Sequence, residues 1–160
     1  MKNVLCVDDS ATMVNILANI VKKNFSNVTV TKLTDSTLVI KELNDNFYDL
    51  LITDINMPRL DGYELVKNIR SDLTNRDLKI LTVSSEGGKS NVIKMLKIGA
   101  NSFIIKPFKK DDIINKIQDL LYEGVEKELR NEEIFIKFLN KNKKHFIENK
   151  KTMDIHDQNL

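Results

Sequence analysis

The stretch "DLLITDINMPRLDG", residues 49–62, decides the fold. Its first part, "DLLIT", is apolar without the alternation of a half-buried strand, so it reads as a central strand covered on both faces of a parallel sheet. The run then stops at a carboxylate, Asp54, and a loop containing Pro58 and Gly62 follows. A turn, a helix cap, a metal ligand and a nucleophile would all leave this local trace, so the rest of the chain must discriminate among them.

Similar short runs rich in branched apolar residues recur at 3–7, 28–33, 79–84 and 102–106. Helical periodicity fills the gaps. Residues 11–23 place Met13, Ile16, Leu17, Ile20 and Val21 on one stripe, and residues 35–47 do the same with Leu38, Val39, Leu43 and Phe47. Ser10 and either Asp35 or Ser36 stand where N-caps belong. A third helix after Asp61-Gly62 carries Tyr63, Leu65, Val66 and Ile69. A fourth carries Val92, Ile93, Met95, Leu96 and Ile98 before a stop at Gly99, and a fifth carries Ile113, Ile114, Ile117, Leu120 and Leu121. Strand and helix therefore alternate along the chain. That alternation predicts an α/β fold with a five-stranded parallel sheet and helices on both faces, because each parallel connection must cross over. In such folds ligands sit beyond the carboxyl ends of the strands.

With 160 residues, 41% of them hydrophobic, the chain can bury one ordinary core. The 25 basic and 23 acidic side chains nearly cancel, so no overall field singles out nucleic acid or an acidic surface. The lone cysteine, Cys6, lies in the apolar run "VLCV" and reads as a buried thiol, excluding an intramolecular disulfide. The first apolar run is too brief for a signal-peptide core and no other approaches membrane-spanning length, so a soluble, cytoplasmic protein is expected.

The residues at the strand ends look chemical. Asp8 and Asp9 follow the first strand, Asp54 the third, Ser84 and Ser85 the fourth, and Lys106-Pro107 the fifth. Each alone has an ordinary reading as a cap, a turn or a solvated charge. Their joint placement at one edge of one sheet does not. Carboxylates packed together repel, about 4 kcal/mol for a unit-charge pair at contact distance and an effective dielectric near 20. A divalent ion with oxygen ligands would relieve this, and Mg²⁺ is favoured because it takes a few carboxylates and keeps waters that a phosphate can displace. Lys106 would add a mobile positive charge suited to a phosphate oxygen, and Ser84 a hydroxyl.

Taken together, "CVDDS", "ITDINMPRLDG", "LTVSSE" and "FIIKPF" resemble the receiver domain of two-component response regulators, in detail the CheY-like single-domain chemotaxis members. The strand order 2-1-3-4-5, flavodoxin-like and doubly wound, is taken from that resemblance, CheY being itself a standard example of it. The likeness covers about residues 2–123, so the chain is divided into a receiver domain, 1–123, and a charged, mostly helical extension, 124–160. By the resemblance Asp54 would be the phosphoacceptor, with Mg²⁺ held by Asp8, Asp9, Asp54 and the backbone carbonyl of Asn56. Lys106 would pair with the phosphoryl group, Ser84 would shift toward it and Phe103 would change rotamer. Asn56 and Glu86 would tune the phosphoryl lifetime, and Lys106-Pro107 would be cis. Serine at 84 and phenylalanine at 103 depart mildly from the threonine and tyrosine of the pattern. The implied protein is a phosphoacceptor switch rather than a metabolic enzyme, able to catalyse its own phosphorylation and dephosphorylation. Its implied partners are a histidine kinase and a downstream protein, bound through the fourth helix, fifth strand and fifth helix, in chemotaxis or motility.

Beyond Gly124, apolar residues including Leu129, Ile134, Phe135 and Phe138 recur at roughly helical spacing, and Lys137 to Lys151 hold six lysines against one glutamate. We expect helix to about residue 150 that packs its Phe face on its own domain or on a second copy; DNA binding is not expected. His145 and His156 lack metal-ligand companions and read as solvent residues. Two other functions compete: an interaction or dimerisation module with the tail as output, and a Mg²⁺-dependent aspartyl phosphatase of the haloacid dehalogenase type. The latter places its acids as D-x-D after the first strand, whereas here they are adjacent.

Overall fold

The computed structural model describes residues 1–122; the expected helix of the extension, 124–160, falls outside them. The elements run β1 (Lys2–Val7), α1 (Ala11–Asn24), β2 (Val28–Leu33), a 3-10 turn (Ser36–Leu38) leading into α2 (Val39–Asp45), and β3 (Leu50–Thr53). They continue with α3 (Gly62–Ser71), β4 (Lys79–Ser84), α4 (Lys89–Ile98), β5 (Ser102–Ile105) and α5, helical over residues 110–122. The strands form one parallel sheet in the order β2-β1-β3-β4-β5. Both the architecture and the order match the expectation.

The centre of the sheet shows why an apolar run without alternation signals this fold. Val4 to Val7 on β1 and all of Leu50 to Thr53 on β3 are buried, whereas the edge strand β2 is only half covered. Register then fixes the strand ends. Val7 pairs with Thr53 and Thr53 with Thr82, so the residues just past β1 and β3, Asp8 and Asp54, emerge side by side.

Local signals set the helix ends. Ser10 Oγ accepts from the Met13 amide at 3.3 Å and Asp61 Oδ1 from the Glu64 amide at 2.9 Å, satisfying first-turn donors that the helices leave free. Gly99 stops α4 in the left-handed region, φ 119°, where a side chain is disfavoured.

Three helix faces differ from those expected. On α1 the buried stripe is Val14, Leu17, Ala18 and Val21, and Ile16 is exposed, because the i, i+3, i+4, i+7 row facing the sheet includes the small Ala18 instead. The segment 35–47 is not one helix. A 3-10 turn opens it, leaving Leu38 exposed, and the chain turns extended at Asn46 to enter β3, which leaves Phe47 76% exposed. On α4 only Met95 is fully buried, while Ile93 and Leu96 are exposed, since the helix lies against the edge of the core. Cys6 is in the core, and burial pushes its thiol up to about 12, so it stays protonated at neutral pH.

Candidate functional site

Three carboxylates meet at the carboxyl edge of the sheet. Asp8, Asp9 and Asp54 can each direct an oxygen so that all lie within 4.8 Å of one another. Asp8 and Asp54 are buried, at 2% and 8% exposure, and Asp9 faces solvent. Lys106, one residue past β5, reaches across to both buried acids, with Nζ 2.9 Å from Asp8 Oδ2 and 3.4 Å from Asp54 Oδ2. Among the described residues charge is left over: one ammonium, paired with Asp8 and Asp54, stands against three carboxylates. Like charges at this separation repel by several kcal/mol gross, roughly 4 per pair at an effective dielectric of 20.

The backbone holds the two buried acids in place. Asp8 Oδ1 accepts from the Ser10 amide at 2.9 Å, and Asp54 Oδ1 from the Ile55 amide at 2.7 Å, while the Asp54 amide donates to the Val7 carbonyl at 3.1 Å. The Lys106 amide donates to the Ser84 carbonyl at 2.8 Å, which ties the lysine to β4. The second oxygen of each, Oδ2, faces Lys106. The donor set is hard oxygen throughout, which suits a divalent cation such as Mg²⁺ and no soft metal.

The loop after Asp54 is closed by glycine. A Cβ on Gly62 would lie 2.5 Å from the Asp54 carbonyl oxygen and 2.7 Å from Ile55 Cα, both backbone atoms that cannot yield cheaply. Gly62 also donates its amide to the Ile55 carbonyl at 2.7 Å. Asp61 is the cap of α3 and takes no part in the cluster. The ambiguity of the opening stretch is thus divided: the cap is Asp61, the turn is Gly62, and Asp54 faces the acids of β1.

The remaining expected residues lie on β4, β5 and the loops that follow β3 and β4. Ser84 ends β4 fully buried, its Oγ accepting from the Glu86 amide at 3.3 Å. Phe103 is half-buried on β5 and packs against the main core cluster. Asn56 is exposed on the loop beyond Ile55, and Glu86 is half-buried beyond β4. The Lys106–Pro107 peptide is cis.

Two contributors escaped sequence reasoning. The Ser10 amide serves Asp8 while the Ser10 hydroxyl caps α1; the cap was legible, the second bond was not. Ser36 was a candidate cap, yet Asp35 caps the turn, and the Ser36 hydroxyl donates instead to the Leu60 carbonyl at 2.7 Å. No local pattern marks a partner 24 residues away.

Residues 4–118 match the family described as the response regulator receiver domain. The chain is 38% identical over 129 residues to the chemotaxis protein CheY homolog of Campylobacter jejuni, covering 75% of this chain and 92% of that protein. It is 36% identical over 118 residues to the chemotaxis protein CheY1 of Helicobacter pylori, covering 73% and 94%. In structure it is similar to the chemotaxis response regulator CheY4 of Vibrio cholerae, with TM-score 0.69 and 25% identity over 76% of this chain and 99% of that one. The receiver domain of a Francisella response regulator aligns with TM-score 0.70 and 27% identity over 78% and 99%.

Proposed function

The chain belongs to the response regulator receiver family, and on that premise we propose that Asp54 is its phosphoacceptor in a Mg²⁺-dependent reaction. A receiver of this type is a two-component signalling switch, which implies a histidine kinase as donor and a protein target downstream. The observation that carries the residue assignment is the surplus of carboxylate over ammonium around Asp54.

A carboxylate oxygen of Asp54 attacks the phosphorus of the donor, the bond from phosphorus to the donor's leaving group breaks, and an acyl phosphate forms. Asp8, Asp9, Asp54 and the Asn56 carbonyl would hold Mg²⁺, which when bound neutralises charge on the transferring oxygens. Lys106, which bridges Asp8 and Asp54, would pair with a phosphoryl oxygen. Hydrolysis of the acyl phosphate by water restores Asp54 and resets the switch.

The added group brings about one and a half to two negative charges beside Ser84 and Lys106. Ser84 then turns its hydroxyl toward the new oxygens and gives up the Glu86 amide, and Phe103 moves into the space vacated. Asn56 and Glu86, at the rim, tune how long the phosphoryl group lasts. The surface of α4, β5 and α5 carries the change to the target, and likeness to chemotaxis regulators supports a role in chemotaxis or motility. No helix among the described residues is long and apolar enough to cross a membrane.

Incubation with Mg²⁺ and acetyl phosphate should add one phosphoryl mass, absent with chelator and lost on standing. Failure to form any adduct would sink the proposal.

A further inference from the structure

The connection between β2 and α2 grips the loop that follows Asp54 from outside. Ser36 is almost fully buried, at 3% exposure, and its hydroxyl lies 2.7 Å from the Leu60 carbonyl and 3.4 Å from that of Pro58. One residue earlier, Asp35 Oδ2 accepts from Arg59 Nη1 at 3.0 Å, again on that loop. The loop also bonds to itself. The Met57 and Gly62 amides both donate to the Ile55 carbonyl, at 3.1 and 2.7 Å, and the Leu60 amide to the Pro58 carbonyl at 2.9 Å. Of the two outside ties, the exposed ion pair is the weaker, since screening leaves such pairs little net effect, whereas a buried hydroxyl bonded to a carbonyl is costly to remove.

We propose that Ser36 is a positioning residue for the cation site, its buried hydroxyl fixing the loop that presents the Asn56 carbonyl beside Asp8, Asp9 and Asp54. The inference rests on the assignment of that carbonyl as a ligand under the proposed function. Asn56 lies just upstream of the span that Ser36 clamps, two residues before Pro58 and four before Leu60. Mg²⁺ demands near-ideal octahedral geometry, so a ligand borne on a loop is only as good as the anchor of the loop. Partners beyond the ligands themselves typically change metal affinity tenfold or more when lost.

The test measures Mg²⁺ binding with no phosphodonor present, by titration calorimetry and by backbone amide shifts of residues 54–62. Ser36→Ala and Ser36→Gly, which both lack the hydroxyl, should each bind Mg²⁺ about tenfold more weakly than wild type. At saturating Mg²⁺ their phosphorylation rate with acetyl phosphate should return close to the wild-type value, so the defect is in affinity and not in the transfer. Val21→Ala, a core change on α1 remote from the loop, should unfold at lower temperature and yet bind Mg²⁺ as wild type does. Unchanged Mg²⁺ affinity in either folded Ser36 variant would overturn the inference, as would equal weakening in Val21→Ala. Absence of Mg²⁺ binding by wild type would instead overturn the cation site itself, and the inference with it.

Discussion

Asp49 and Asp54 flank the same strand, β3, and their surroundings are opposite. Asp49, at the amino end, has both oxygens committed: Oδ1 pairs with Lys2 Nζ at 3.0 Å and Oδ2 accepts from the Asn3 amide at 2.8 Å. One acid meets one base. Around it the same end of the sheet is closed by Arg70, whose guanidinium donates to the carbonyls of Gly99, Asn75 and Arg76 and to Asn101 Oδ1. Asp54, at the carboxyl end, shares a single lysine with Asp8 and has Asp9 close by. A carboxylate matched by its own cation stabilises a fold, whereas one held in surplus negative charge costs stability, which is where chemistry tends to be found. The two ends of one strand therefore separate a paired acid from an acid in surplus charge within a single sheet.

Gly62→Ala should have the largest effect and would blur that separation, since it damages both properties together. Its Cβ must displace the backbone of Asp54 and Ile55. We expect a loss of about 3 kcal/mol in urea unfolding, together with loss of acetyl phosphate uptake. Arg70→Ala tests the structural end alone. Burial holds the Arg70 guanidinium below its ordinary pKa, and its removal strands several carbonyls. A stability loss of about 2 kcal/mol is expected, with phosphoryl uptake intact in the folded protein. Impaired uptake in that variant would mean that the two ends are coupled.

The smallest effects discriminate most sharply, because they differ in sign. Asp49→Asn breaks a paired carboxylate and should destabilise by about 1 kcal/mol. Asp54→Asn relieves repulsion from Asp8 and Asp9 while an amide oxygen can still accept from Ile55, so metal-free protein should gain about 1 kcal/mol, less as salt is added. Saturating Mg²⁺ should cancel or reverse that gain, because wild type alone binds the ion with its full ligand set. Thermal melts of both variants with and without Mg²⁺ check this, and equal signs would remove the contrast between Asp49 and Asp54.

Much of the site was legible in the sequence, for a physical reason. Strand runs such as "DLLIT" are recognisable by their unbroken burial, and whatever stands one residue past them must lie at the sheet edge, which located Asp8, Asp54 and Lys106. The strand order was not legible from spacing and came from resemblance. Helix faces were read less well. Ile16 and Phe47 are apolar and at plausible spacing, but Ala18 has the buried position on α1 and the turn at Asn46 carries Phe47 off the helix. Contacts across long stretches of sequence, Ser36 to Leu60 or Arg70 to Gly99, leave no local trace, because three-dimensional approach alone creates them.

We propose that of the two acids flanking β3 it is Asp54, held in surplus negative charge, and not the paired Asp49, that accepts the phosphoryl group. Intact-mass spectrometry of wild type, Asp49→Asn and Asp54→Asn, each incubated with Mg²⁺ and acetyl phosphate, tests it most directly. One phosphoryl mass on wild type and on Asp49→Asn, with none on Asp54→Asn, is the expected result. A full adduct on Asp54→Asn, or its loss in folded Asp49→Asn, would contradict it.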